Sequence, residues 1–267
     1  MLRKLMKYEF KATARTMIPL SVITLILSVF VSLFIRYGEN VDNVFIGIII
    51  AFLSVIYAVA LCAVVIVVLV LMVTRFKNNI LSDEGYITLT LPVSTHKIIW
   101  SKIIVSSVWF IVSLLVVSLS VFILLVQASF LGDLQELLLH MWNNMTAYYA
   151  LNGTAVILEL LLNFFIGYAS FCLMAYAAMS IGYSFDRFKG LISLAVFMGL
   201  NFVTTMVTTL LFTSLDFDVI SRNLEAGVGY MASVHLILLG SAAITAVFCV
   251  GYYFITTFML KNRLNIE

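Results

Sequence analysis

Long apolar runs decide what this chain can fold into. Residues 44–73 contain no charged side chain, and long apolar runs recur at 17–35, 98–126, 154–181, 191–212 and 233–260, interrupted by a charge only at Lys102 and Glu159. Crossing the hydrocarbon of a bilayer takes roughly 20 apolar residues as helix. Lipid offers no partner to a free backbone N–H or C=O, so each run must satisfy its own backbone as a helix. The chain therefore reads as all-α, a polytopic membrane protein with six transmembrane helices. Some runs approach 30 residues, and such helices tilt or project beyond the bilayer, whose hydrocarbon is about 30 Å thick. Composition agrees: 63% of the 267 residues are apolar and 10% charged, against about a quarter charged in a soluble domain.

Lysine and arginine set the orientation, because loops rich in them stay in the cytoplasm. They gather before the first span (Arg3, Lys4, Lys7, Lys11, Arg15), between spans two and three and at the mouth of span three (Arg75, Lys77, Lys97, Lys102), between four and five (Arg187, Lys189) and after six (Lys261, Arg263). The alternate segments hold only Arg36 and Arg222, and are instead acidic, with Glu39, Asp42, Asp133, Glu136, Asp216, Asp218 and Glu225. Both termini are thus expected in the cytoplasm, with the chain multi-pass in a bacterial plasma membrane.

The basic N-terminal stretch is not expected to be a cleaved signal, since the apolar run behind it is too long and no small-residue cleavage site follows. In residues 1–16, Lys4, Lys7, Lys11 and Arg15 share one helical face and Leu2, Met6 and Phe10 another. This pattern predicts an amphipathic interfacial helix lying on the inner membrane surface against membrane lipids; the same charges also serve topology. The expected plan is an interfacial helix at 1–16, a six-helix domain at 17–260 and a short cytoplasmic tail at 261–267.

Most connections read as short or plain loops. The exception is residues 74–97, which contain RFKNNILSDEGYITLTLPVSTHK. Arg75 and Lys77 close span two, Ser82 can cap a short helix beginning near Asp83, and Leu91-Pro92 imposes a rigid break before span three. Ile80, Leu81, Tyr86, Ile87, Leu89 and Leu91 are unexpectedly apolar for a loop bathed by water. Either they pack on the inner ends of the spans or they form a docking surface for another protein.

The run Glu84-Gly85-Tyr86, then Leu91-Pro92-Val93-Ser94, then Ser101-Lys102 resembles the signature of type-2 ABC transporter permeases, in which a charged residue with glycine precedes a Leu-Pro-hydroxyl turn and a Ser-Lys pair. The six-span plan, the basic N-terminal helix and the cytoplasmic ends are similar to that family throughout. The chain differs from many members in carrying Asp83-Glu84 where a basic residue often stands before the glycine. The resemblance implies that residues 83–90 form a coupling helix seated in a groove of a separate ATPase subunit, with Asp83, Glu84, Gly85, Tyr86, Ile87, Leu91 and Pro92 as partner-binding residues. It also implies that the segment 213–232 dips back into the membrane as short helices; from the residues alone an ordinary surface loop is equally compatible.

Glu159 is the one carboxylate expected inside a span, where an ionisable group is costly and by default a functional candidate. Asn163, Gly167 and Ser170 follow it at helical spacing, giving that helix a polar or small face. Glu159 with Asn163 and, on span five, Asn201 could line a substrate path. Alternatively Glu159 reaches the outer interface and holds its helix in place. Thr204, Thr205, Thr208 and Thr209 are weak pointers to a pore, because such hydroxyls usually bond to the preceding turn. Ala169, Ala175, Ala178 and Gly182 read as close-packing positions, and Trp100, Trp142, Tyr148 and Tyr149 as interfacial anchors.

No G-x-x-x-x-G-K-[ST], H-E-x-x-H or G-x-S-x-G occurs, so neither ATP hydrolysis nor zinc or serine hydrolysis is expected of this chain. His96, His140 and His235 fall in separate regions, and Cys62, Cys172 and Cys249 inside apolar runs. They suggest packing rather than a metal site or disulfides. The expectation is a non-enzymatic permease subunit of an ABC exporter, dimeric with a second permease copy or a related permease. Its ATPase partners bind the ATP and Mg, this chain carries no cofactor or metal, and no nucleic acid is involved. The exported substrate would be an amphiphile such as a peptide, antibiotic or lipid. Other classes are a non-transporting sensor or assembly subunit docking a different cytoplasmic protein, and an ion-coupled secondary transporter, which would favour more intramembrane carboxylates than Glu159.

Overall fold

The computed structural model describes residues 2–38, 44–81, 94–125, 128–144, 153–185, 187–214 and 230–262. Its helices are α1 (Leu2–Gly38), α2 (Val44–Phe76) continued by a π turn (Lys77–Leu81), α3 (Thr95–Leu125), α4 (Ala128–Asn143), α5 (Gly153–Gly182), α6 (Lys189–Ser214) and α7 (Tyr230–Asn262). All but α4 are long and apolar enough to cross a membrane, and among the described residues there are six such helices and no strand. This is the architecture of a multi-pass helical membrane protein.

The helices differ from the expected plan in three respects. The basic stretch and the first span are one unbroken helix, Leu2–Gly38, even though Pro19 lies within it. Residues 128–143, expected as loop, form the helix α4, whose leucines at 134, 137 and 138 recur at helical spacing. The last span runs on to Asn262, taking in Lys261.

The chain divides into two compact units, residues 1–75 with 96–135, and residues 76–95 with 136–267. In the first, Met17 of α1, Val68 of α2 and Val105 and Trp109 of α3 form a buried apolar cluster. The seams of this unit are lined by small hydroxyl residues at near-heptad spacing. Ser21, Thr24, Ser28 and Ser32 of α1 and Ser106, Ser113 and Ser120 of α3 are buried, while Ile48, Phe52, Val55 and Val59 of α2 face outward. Small residues let helix backbones approach closely where lipid provides no hydrophobic drive for association. Most of these hydroxyls bond to their own preceding turn, as Ser21 Oγ does to Met17 O and Ser113 Oγ to Phe110 O. Two reach across: Tyr57 Oη donates to Ser120 Oγ at 3.0 Å, and Ser32 Oγ to Ile123 O at 3.3 Å.

In the second unit α5 packs against both α6 and α7. The C-terminal half of α5, Cys172–Ser180 in the chain, is buried throughout. Tyr176 stacks on Phe76 with ring centroids 4.1 Å apart and planes 8° apart. Gly182 meets α6 so closely that a Cβ there would lie 2.5 Å from the backbone N of Ser193. The chain enters α6 through Phe188, which adopts a left-handed conformation with φ 56°.

Candidate functional site

Two polar clusters stand out, one in each unit. In the first unit the N-terminal part of α1 is bound to the end of α2 at Arg75 and to α3 at Lys102 and Trp109. Lys102, the last residue of the Ser101-Lys102 pair, is 5% exposed. Its Nζ donates to Glu9 Oε1 at 2.7 Å and to the carbonyl of Arg75 at 3.2 Å. Arg75 in turn donates to the carbonyl of Ala12 at 3.1 Å. Trp109 Nε1 donates to Thr13 Oγ1 at 2.6 Å, and Thr13 Oγ1 to Glu9 O at 2.9 Å. A buried ammonium is tolerable only with an opposite charge and filled hydrogen bonds around it, and Glu9 and Arg75 O supply both. The end of α2, the start of α3 and residues 9–13 of α1 are thereby tied at one point.

The residues expected to contact a partner, Asp83, Glu84, Gly85, Tyr86, Ile87, Leu91 and Pro92, lie outside the described residues, as does most of the segment 213–232. Ile80, at the end of the π turn that leads toward them, is fully buried.

In the second unit the structure brings Glu159 and Asn163 together along one face of α5 and sets α7 against them. His235 Nδ1 lies 2.8 Å from both carboxylate oxygens of Glu159. Asn163 Nδ2 donates to the carbonyl of Leu238 at 2.9 Å, and Ser241 Oγ donates to Asn163 Oδ1 at 2.8 Å. This ladder accounts for the polar face of α5 as a helix-to-helix seam. Asn201 is not part of it; it is exposed on α6. Lower down the same unit Thr204 Oγ1 and Tyr252 Oη share a hydrogen bond.

Two functional partners were not anticipated, Glu9 and His235. Neither has a local signal: Glu9 reads as one acid within a basic stretch, and His235 as a histidine remote from any other. Each is explained only by a residue far along the chain. Among the described residues no group of three or more His, Cys, Asp or Glu could hold a metal ion. Comparison with protein-family models, with curated proteins and with solved structures finds no match.

Proposed function

We propose that this chain is the membrane-spanning permease subunit of an ATP-driven ABC exporter. It pairs with a second permease copy or a related permease and with two cytoplasmic ATPases. Residues 83–90 act as the coupling helix, and an amphiphilic substrate such as a peptide, antibiotic or lipid is exported. ATP binding draws the ATPases together and displaces the coupling segment, and the spans on either side of it move in response.

One observation supports this reading above the others. The signature-like run from Glu84 to Lys102 begins between two helices fit to span a membrane and ends inside the second of them, where its final lysine is buried in an ion pair with Glu9 of α1. Surface topology alone asks only that a lysine be near the membrane face, whereas this lysine is buried and ties α3 to α1 and to the end of α2. A push on residues 83–90 is then passed to α1, α2 and α3 together.

Affinity purification of the tagged full chain from its native membranes tests the proposal. An ATPase subunit is expected to co-purify, and Gly85→Glu or Leu91→Glu is expected to release it while the chain still inserts. A chain that recovers no ATPase, or whose Gly85→Glu and Leu91→Glu variants keep both partner and transport, overturns the reading.

A further inference from the structure

In the first unit an open groove of about 580 Å³ runs between the N-terminal part of α1 and α3. Its rim carries Arg3, Lys7 and Lys11, and its walls are apolar, chiefly Phe10, Ile104 and Val108. The three cations are one helical turn apart, all exposed, and so form a single positive ridge along the groove. Glu9, the one carboxylate in residues 1–16, is engaged by Lys102. Arg3, Lys7 and Lys11 make no ion pair with any described residue.

The apolar wall is held in shape. Phe10 stacks on Trp109 with centroids 4.7 Å apart, and Trp109 is fixed by its hydrogen bond to Thr13. The groove is therefore a standing trough, with positive charge along one edge and hydrocarbon-like walls below it. A purely apolar ligand would leave the three cations uncompensated. A small anion would leave the walls wet. A molecule with a negative head and a hydrocarbon tail satisfies both.

We infer that this groove is a binding site for an anionic phospholipid of the inner leaflet. The headgroup phosphate is held by Arg3, Lys7 and Lys11, and an acyl chain lies along Phe10, Ile104 and Val108. Charge complementarity selects the head and the apolar wall selects the tail. The site requires only the membrane placement of α1, and stands whether or not the chain has an ATPase partner. It makes the N-terminal part of α1 a reader of one lipid class, beyond a general attraction of basic residues to a negative surface.

Native mass spectrometry of the full chain in detergent, titrated with phosphatidylglycerol or with phosphatidylcholine of the same acyl chains, tests this. One phosphatidylglycerol is expected to be retained, with a preference of about tenfold or more over phosphatidylcholine. Lys7→Gln with Lys11→Gln abolishes the preference. Lys4→Gln with Arg15→Gln, which removes the same charge from positions of α1 that do not line the groove, keeps it. Val108→Trp, which fills the trough and spares every cation, also displaces the lipid. Equal retention of the two lipids overturns the inference. So does an equal loss in the Lys4/Arg15 and Lys7/Lys11 variants, which would mean diffuse attraction only. Unchanged retention in Val108→Trp, or displacement by millimolar inorganic phosphate, overturns the placement of a lipid in the groove. Helical content by circular dichroism is compared for each variant, and these substitutions of exposed side chains are expected to leave it unaltered.

Discussion

Glu9 and Lys102, 93 positions apart in the chain, form a 2.7 Å ion pair whose side chains are 15% and 4% exposed. The pair joins a basic helix that reads as surface-seeking to a lysine that reads as a topology marker, and buries the lysine fully and the carboxylate in part. Desolvating two ions is expensive, and removing one partner leaves the other charge buried and uncompensated. Lys102→Met or Glu9→Leu alone is therefore expected to lower stability by about 3–5 kcal/mol. The double variant Glu9→Leu/Lys102→Met is expected to recover most of that loss. Denaturant unfolding in mixed micelles measures the cycle, and simple additivity of the two single losses would show that the charges do not interact.

A second pair lies within the other unit. Glu159 and His235 face each other at 2.8 Å across α5 and α7. His235→Leu leaves the carboxylate among apolar side chains, at a cost of about 3 kcal/mol if it lies near mid-membrane and less toward the interface. Glu159→Leu/His235→Leu is expected to restore the yield of inserted protein that the single His235→Leu variant loses. Equal yields for the single and double variants would mean that the pair does not hold α5 to α7.

Gly182 and Gly167 sit on the same helix and make opposite predictions. A Cβ at Gly182 would meet the backbone of Ser193 at 2.5 Å and 2.6 Å, whereas at Gly167 it meets nothing within 4 Å. Gly182→Ala must push α6 away and is expected to cost about 1–3 kcal/mol. Gly167→Ala is expected to be neutral or slightly stabilising, by up to about 1 kcal/mol, because alanine favours helix. Thermal unfolding of the two variants side by side decides it.

Tyr57 and Ser120 probe the hydroxyl seam of the first unit. Loss of the Tyr57 Oη to Ser120 Oγ bond in Tyr57→Phe is expected to cost only about 0.6 kcal/mol, the usual value for a hydrogen bond between membrane helices. Ser120 keeps its bond to Val117 O at 2.8 Å, so no buried donor is stranded. A loss several times larger would show that this contact fixes the position of α2 against α3.

The six long helices were legible because each is a run of apolar residues whose length the bilayer dictates. Apart from the start of α1, their ends agree with the sequence reading to within a few residues: 154–181 is expected where α5 is Gly153–Gly182, and 44–73 where α2 is Val44–Phe76. The packing role of Gly182 was legible too, since small residues in a span have few other uses. What escaped was pairing over distance. Glu9 is a lone acid among lysines, and its partner lies 93 positions away. His235 is isolated in sequence, and only the packing of α7 on α5 brings it to Glu159. Helix α4 was missed for a different reason: its leucines do repeat at helical spacing, but the run is too short and too polar to register as a span. The polar face of α5 reads from sequence as facing protein or a water-filled path, and Asn163 on it is hydrogen-bonded to Leu238 and Ser241 of α7.

The permease reading stands on the side of the membrane that carries residues 83–90. In a chain with Cys62→Ala, Cys172→Ala and Cys249→Ala, the substitution Thr88→Cys supplies one reporter thiol in that segment. Treated with a membrane-impermeant maleimide, it is expected to stay unmodified in intact cells and to label once the cytoplasmic face is opened. Labelling of Thr88→Cys from outside intact cells would contradict the account.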